Sequence, residues 1–154
     1  MLLNFAGLPA TISSPPVLVV EDDPALRNLY RSLLREEGYA VIDVEDGISA
    51  LRALEATRPA AIILDLALPR LDGRDVHREL KSNEGTKNIP VIVISGHDTS
   101  DLRDSEFACI LKKPLNADTL LAAVANCVRR RANPSQLTLF SRCEGLRCTT
   151  RPQH

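Results

Sequence analysis

The feature that most constrains the fold is a series of short, β-branched apolar runs separated by stretches with helical periodicity. The runs predict strands over 17–22, 39–45, 60–65, 91–95 and 109–112. Between the first two strands, Leu26, Leu29 and Leu33 recur at three- and four-residue spacing, which predicts an amphipathic helix. Strands that alternate with helices in this way form a parallel sheet with helices on both faces.

Short, right-handed connections favour one arrangement of these elements. We predict an α/β three-layer sandwich with a five-stranded parallel sheet of flavodoxin-like order 2-1-3-4-5. The last helix is predicted over 116–131. Residues 96–108 contain only two large apolar side chains, so we expect the fourth helix to be shortened or irregular. Asp98 to Asp101 could still cap a helix there.

Length and charge narrow the class of protein. The chain has 154 residues, enough for one domain with tails, and its net charge of −1 gives no bias toward nucleic acid or anionic membranes. No apolar stretch is long enough to span a bilayer. Cys109 and Cys127 lie on apolar faces and are expected to be buried, reduced thiols. Cys143 and Cys148 are weak candidates for a metal site.

Polar side chains stand at the carboxyl ends of four predicted strands. Glu21 and Asp22 follow the first, Asp65 the third, Ser95 the fourth and Lys113 the fifth. Because parallel strands end at the same edge of a sheet, these groups are expected to share one crevice. Two carboxylates about 4 Å apart repel by roughly 4 kcal/mol at an effective dielectric near 20, so three acids require compensating positive charge.

The residue types in this crevice indicate phosphoryl transfer. Lys113 supplies one positive charge, and oxygen ligands without sulfur select Mg²⁺, with Mn²⁺ as an alternative. A carboxylate, an ammonium, a hydroxyl and a divalent cation can together form an aspartyl phosphate by in-line attack. A haloacid-dehalogenase phosphatase would need a second acid two positions after its nucleophile, where this chain has Ala67.

Four pieces of the chain carry a resemblance to a known family. They are residues 19–24 (VVEDDP), residues 63–73 (ILDLALPRLDG), Ser95, and Lys113 with Pro114. In this order and at this spacing they resemble the receiver domain of two-component response regulators. The resemblance implies a receiver domain over 17–131, with a flexible leader over 1–16 and a disordered tail over 132–154.

The resemblance also implies roles for individual residues. Asp65 would accept a phosphoryl group from a histidine kinase or histidine phosphotransfer protein, and Lys113 and Ser95 would bind that group. The ligands of Mg²⁺ would be Asp65, Glu21, Asp22 and the backbone carbonyl of Ala67. The protein would catalyse only its own phosphorylation and dephosphorylation in the cytoplasm. It would signal by contact with a downstream protein, with a homodimer left open.

Two departures from the family pattern bear on switching. Receivers usually carry an aromatic residue three positions before the lysine, where this chain has Ile110. The interval from Ser95 to Lys113 spans 113 − 95 = 18 residues, about one helical turn fewer than in most receivers. The alternative is therefore a receiver-like module that no longer switches and acts as a constitutive binding or dimerisation platform. The complete set of acidic and basic site residues argues against it.

Other polar features are assigned no chemistry. His77 on the third predicted helix is expected on a solvated face. His97 is expected to be a surface histidine with no role, the alternative being that it modulates hydrolysis of phosphorylated Asp65. Asp72 and Gly73 are expected to form a turn.

Overall fold

The computed structural model describes residues 14–133. The strands are β1 (Val17–Val20), β2 (Val41–Val44), β3 (Ala61–Asp65), β4 (Val91–Ser95) and β5 (Cys109–Lys112). The α-helices are α1 (Pro24–Glu36), α2 (Gly47–Ala56), α3 (Gly73–Ser82) and α4 (Ala117–Ala132). The predicted leader and tail lie almost wholly outside the described residues, as do Cys143 and Cys148, so those predictions stay untested.

The sheet has the predicted architecture. Its five strands are all parallel, in the order β2-β1-β3-β4-β5. Successive residues of the central strands alternate between two apolar layers. Ile63 lies in the layer that contains α1 and α4, and its neighbour Ile62 lies in the layer that contains α2 and α3. The three-layer sandwich is therefore confirmed, and Cys109 and Cys127 are buried in its first layer.

Each α-helix begins directly after an Asp or Asn side chain that accepts backbone amides of the first turn. Asp23 caps α1 by accepting the amides of Ala25 and Leu26, and Asn116 caps α4 by accepting the amide of Thr119. Asp46 and Asp72 do the same for α2 and α3. These caps satisfy helix-end amides that would otherwise lack partners. They also fix where the chain turns at the carboxyl edge of the sheet.

The connection between β4 and β5, residues 96–108, is named here the crossover. Among the described residues it contains no α-helix, only one turn of 3-10 helix over Asp104–Glu106. The prediction of a shortened or irregular fourth helix is therefore confirmed. Asp98 accepts the amide and hydroxyl of Ser100 in a local turn, and no helix follows it. The alternative in which this segment caps a helix is therefore wrong.

The prediction that His77 lies on a solvated face is also wrong. Its exposed fraction is 7%, and its ring packs against Phe107 with the centroids 4.2 Å apart. The helical pattern of α3 could not show this, because the covering residue belongs to the crossover, 30 positions later in the chain (107 − 77).

Among the residues that the structure describes, no helix is both long and apolar enough to cross a membrane.

Candidate functional site

Three charged groups meet where β1, β3 and β5 end. The Nζ atom of Lys113 lies 2.8 Å from Oδ2 of Asp65 and 2.9 Å from Oε2 of Glu21. Asp65 is the last residue of β3, and Glu21 directly follows β1. Because β1 and β3 are neighbours in the sheet, the two acids stand side by side. Lys113 follows β5 at the edge of the sheet and reaches both carboxylates past the end of β4.

Glu21 is the most deeply buried acid of this group. Its exposed fraction is 1%, and burial raises its pKa to about 7, with the charge of Asp65 adding to the effect and Lys113 opposing it. Its Oε2 atom is close to Lys113 in charge contact, but among the described residues it has no partner in good hydrogen-bond geometry. A buried carboxylate oxygen of this kind can accept a further cation.

Lys113 remains charged despite being mostly buried. Burial by itself lowers the pKa of an ammonium, but the contacts with Asp65 and Glu21 outweigh that cost and raise the pKa of Lys113. The side chain is 23% exposed, so the ammonium can be reached from solvent. A permanent positive charge at this place is suited to binding the oxygens of an incoming phosphoryl group.

The loop after β1 separates the two neighbouring aspartates by function. Asp22 is exposed and lies in the acidic cluster, whereas Asp23 is used to cap α1. The Arg27 side chain stabilises the loop by donating to the backbone carbonyls of Glu21, at 2.9 Å, and Asp22, at 3.3 Å. The turn at Asp23 therefore leaves the carboxylate of Asp22 available to the crevice.

Ser95 and Ala67 complete the predicted set around Asp65. Ser95 ends β4, the strand between those of Asp65 and Lys113, and its Oγ accepts the amide of His97 at 3.1 Å. The hydroxyl proton of Ser95 is then the group that it can donate to a ligand. The backbone amide of Ala67 donates to Oδ1 of Asp65 at 3.0 Å, which orients that carboxylate. His97 itself is exposed.

The acidic cluster fits a hard divalent cation. One oxygen from each of Glu21, Asp22 and Asp65 lies within 4.8 Å of the others. Only oxygen atoms are offered, and Glu21, whose Oε2 atom lacks a hydrogen-bond partner among the described residues, is one of the three acids. Oxygen ligands with excess negative charge are the donor set that Mg²⁺ prefers.

Sequence reasoning missed Gly73 as a residue of the site. A Cβ atom at this position would lie 2.4 Å from the carbonyl oxygen of Asp65 and 2.7 Å from Cα of Leu66. The amide of Gly73 also donates to the carbonyl of Leu66 at 3.0 Å. The start of α3 therefore packs directly on the backbone that carries Asp65. The only signal for this in the sequence was an Asp-Gly pair, which is equally typical of an ordinary turn.

The chain is similar to known proteins over most of the described range. Residues 17–125 match the family model of the response regulator receiver domain. Response regulator MprA of Mycobacterium sp. (strain KMS) is 36% identical over 118 residues, covering 74% of this chain and 50% of the relative. MprA of Mycobacterium avium (strain 104) is 36% identical over the same length, covering 74% and 51%. The chain thus spans about half the length of the curated relatives it matches.

Solved structures show the same likeness. The signal receiver domain assigned to a Luxo repressor protein of Vibrio parahaemolyticus has a TM-score of 0.73 and 33% identity, covering 81% of this chain and 98% of its own. The receiver domain of the sensor histidine kinase PA1611 from Pseudomonas aeruginosa PAO1 has a TM-score of 0.68 and 30% identity, covering 75% and 98%. That second structure holds a magnesium ion coordinated in its active site cleft.

Proposed function

Because the chain belongs to the response regulator receiver domain family, we propose that Asp65 accepts a phosphoryl group from a phosphohistidine donor. The observation that carries this proposal is the position of the Asp65 carboxylate. It stands at the end of a central strand, with Lys113 at 2.8 Å from one oxygen and the amide of Ala67 at 3.0 Å from the other. Both contacts orient a single carboxylate at the sheet edge where α/β proteins bind their ligands.

In the proposed reaction, an oxygen of Asp65 attacks the phosphorus atom of the donor. The new O–P bond forms as the P–N bond to the donor histidine breaks, and that electron pair returns to the imidazole nitrogen. Negative charge moves from the carboxylate to the phosphoryl oxygens. Lys113 can stabilise this charge by donating to a phosphoryl oxygen, since its ammonium already contacts Asp65. The hydroxyl of Ser95 can donate to another phosphoryl oxygen. Hydrolysis of the aspartyl phosphate would return the site to its starting state.

We propose Mg²⁺, with Mn²⁺ as a possible substitute, as the cofactor of this site. Its ligands would be Asp22, Asp65, Glu21 and the backbone carbonyl of Ala67, and the clustered carboxylate oxygens support this assignment. A bound divalent ion would neutralise charge on the transferring oxygens. In the protein itself, Glu21 is buried, and Asp23 is used to cap α1 and so stands outside the proposed ligand set.

The proposed partners follow from this chemistry. The donor would be a histidine kinase or a histidine phosphotransfer protein, and the output would be contact with a downstream protein. We take the receiver domain as residues 17–131, and we propose that it catalyses only its own phosphorylation and dephosphorylation.

The test is labelling of Asp65. Acetyl phosphate with Mg²⁺ should add one phosphoryl group to the protein, detected by intact mass, and Asp65→Asn should remove the labelling almost completely. Asp75→Asn is the matched control, because Asp75 is a partly exposed acid of α3 whose side chain pairs with Arg78, away from the acidic cluster. Equal labelling of the Asp65→Asn protein would refute the assignment.

A further inference from the structure

The edge of the sheet with Glu21, Asp22, Asp65, Ser95 and Lys113 is named here the carboxylate edge. A separate cleft lies between α3 and the crossover. Its volume is about 590 Å³, and it shares no residue with the acidic cluster. One wall is formed by α3, including Arg74 and His77, and the other by the crossover, including Asp101 and Phe107. A connection between parallel strands usually packs on the sheet through its own helix. Here the crossover is held by another helix instead.

Two sets of contacts join the crossover to α3. The guanidinium of Arg74 donates from Nε and Nη2 to the two carboxylate oxygens of Asp101, both at 3.2 Å, which is the bidentate geometry of strong ion pairs. Nε2 of His77 lies 3.3 Å from the carbonyl oxygen of Glu106. Since a carbonyl only accepts, Nε2 must carry the proton. The His77 ring also stacks on Phe107, the only crossover side chain that is buried among those described.

Helix α3 links the backbone of Asp65 to the crossover. The first residue of α3, Gly73, packs on the backbone of Asp65. The crossover runs from β4, which ends at Ser95, to β5, which Lys113 directly follows, and the amide of Lys113 donates to the carbonyl of Ser95 at 2.9 Å. A helix seated on Asp65 therefore holds the segment that begins directly after Ser95 and leads into β5, the strand that directly precedes Lys113.

We propose that His77 and Arg74 are positioning residues that clasp the crossover onto α3 and thereby hold Ser95 and Lys113 in place beside Asp65. The part of this proposal that concerns phosphoryl binding rests on the function proposed above. We use the name clasp for the contacts of Arg74 with Asp101 and of His77 with Glu106 and Phe107. These contacts can be tested without any phosphoryl donor. They hold the crossover in the absence of an α-helix of its own.

Burial under the crossover favours the neutral form of His77. Burial lowers the pKa of His77, the positive charge of Lys81 adds to this, and the carbonyl and carboxylate of Glu106 oppose it. Arg74, Arg78 and Asp101 also line the cleft. Since the folded-state pKa lies below the unfolded value near 6.5, the contribution of His77 is complete above that value and is lost as the pH falls through the folded pKa.

Hydrogen exchange of residues 96–108, without phosphoryl donor, tests the clasp. His77→Gln and Arg74→Gln should each lower protection there by about fivefold at pH near 7.5, the effect of one ordinary hydrogen bond. Arg74 is partly exposed, so its variant keeps the fold even if a buried Gln at position 77 does not. Arg78→Gln is the matched control, because Arg78 pairs with Asp75 on the same helix at 2.6 Å.

The pH profile distinguishes a clasp from simple packing. After correction for intrinsic exchange, protection of the crossover in the wild type should be constant above about pH 6.5 and should fall as the pH is lowered below that value, and His77→Gln should lack this step. Beryllofluoride, a phosphoryl mimic, should bind about fivefold more weakly to Arg74→Gln than to Arg78→Gln. Unchanged crossover protection in both clasp variants, or an equal loss in Arg78→Gln, would overturn the proposal. Failure of Asp65 labelling would instead overturn the proposed function and leave the clasp standing.

Discussion

The carboxylate edge and the crossover are neighbours in the fold but are built in opposite ways. All residues of β1, β3 and β4 are buried, and these include Asp65 and Ser95, while Glu21, also buried, directly follows β1. Of the crossover side chains described, only that of Phe107 is buried. The edge is therefore held by ladders and core packing on both sides, whereas the crossover depends on a few contacts with α3.

This difference indicates where the molecule can move. A position fixed by many neighbours resists displacement, because shifting it would disturb a close-packed core. A segment with few buried contacts opens locally at low cost in free energy. We expect chemistry at the edge to be rigidly placed and any conformational response to be concentrated in the crossover. The following predictions test this contrast.

The largest effect is expected from removing a metal ligand. Asp22→Ala deletes an exposed carboxylate of the acidic cluster and should weaken Mg²⁺ binding by at least about tenfold, measured by titration. Asp23→Ala is the control. It should lower the free energy of unfolding by about 1 kcal/mol through loss of the α1 cap, with little change in Mg²⁺ affinity. Equal loss of affinity in both proteins would mean that the acidic pair was assigned one residue out of register.

A smaller effect is expected from a methyl group at Gly73. The added Cβ would lie 2.4 Å from a backbone oxygen of Asp65, which cannot move aside as a flexible side chain could. Gly73→Ala should therefore lower the free energy of unfolding by about 1–3 kcal/mol in urea denaturation. Gly96→Ala, in the crossover, meets nothing closer than the Lys113 side chain at 3.9 Å and should change it by no more than about 0.5 kcal/mol. Similar losses in both variants would contradict the contrast between the two regions.

The smallest effect is expected in the hydrogen-exchange protection of the crossover when a ligand binds at Asp65. Ile110 stands where receivers usually carry an aromatic residue and is half-buried beside the layer of α2 and α3, so a ring rotation is not available. Beryllofluoride should instead raise hydrogen-exchange protection over residues 96–108 and leave α4 little changed. An unchanged crossover with Asp65 occupied would favour the non-switching platform.

Much of the fold could be predicted from the sequence because its signals are local. The β-branched runs located the strands to within about two residues, and order 2-1-3-4-5 followed from chain-connection rules. The proximity of Glu21, Asp65 and Lys113 followed in turn, because parallel strands end at one edge. Their roles as acceptor, ligands and phosphate-binding groups remain predictions for the labelling and titration experiments.

The sequence by itself therefore determined the positions of the strands and the types of residue that meet at the carboxylate edge. Only the tertiary structure decided what covers α3. The burial of His77, the pairing of Arg74 with Asp101 and the packing of Gly73 on Asp65 join positions that are 8 to 30 residues apart (73 − 65 and 107 − 77). No helical or strand period links such positions, since periodicity reports only which face a residue shares with its neighbours in the same element. The partner on that face is chosen by how the elements pack.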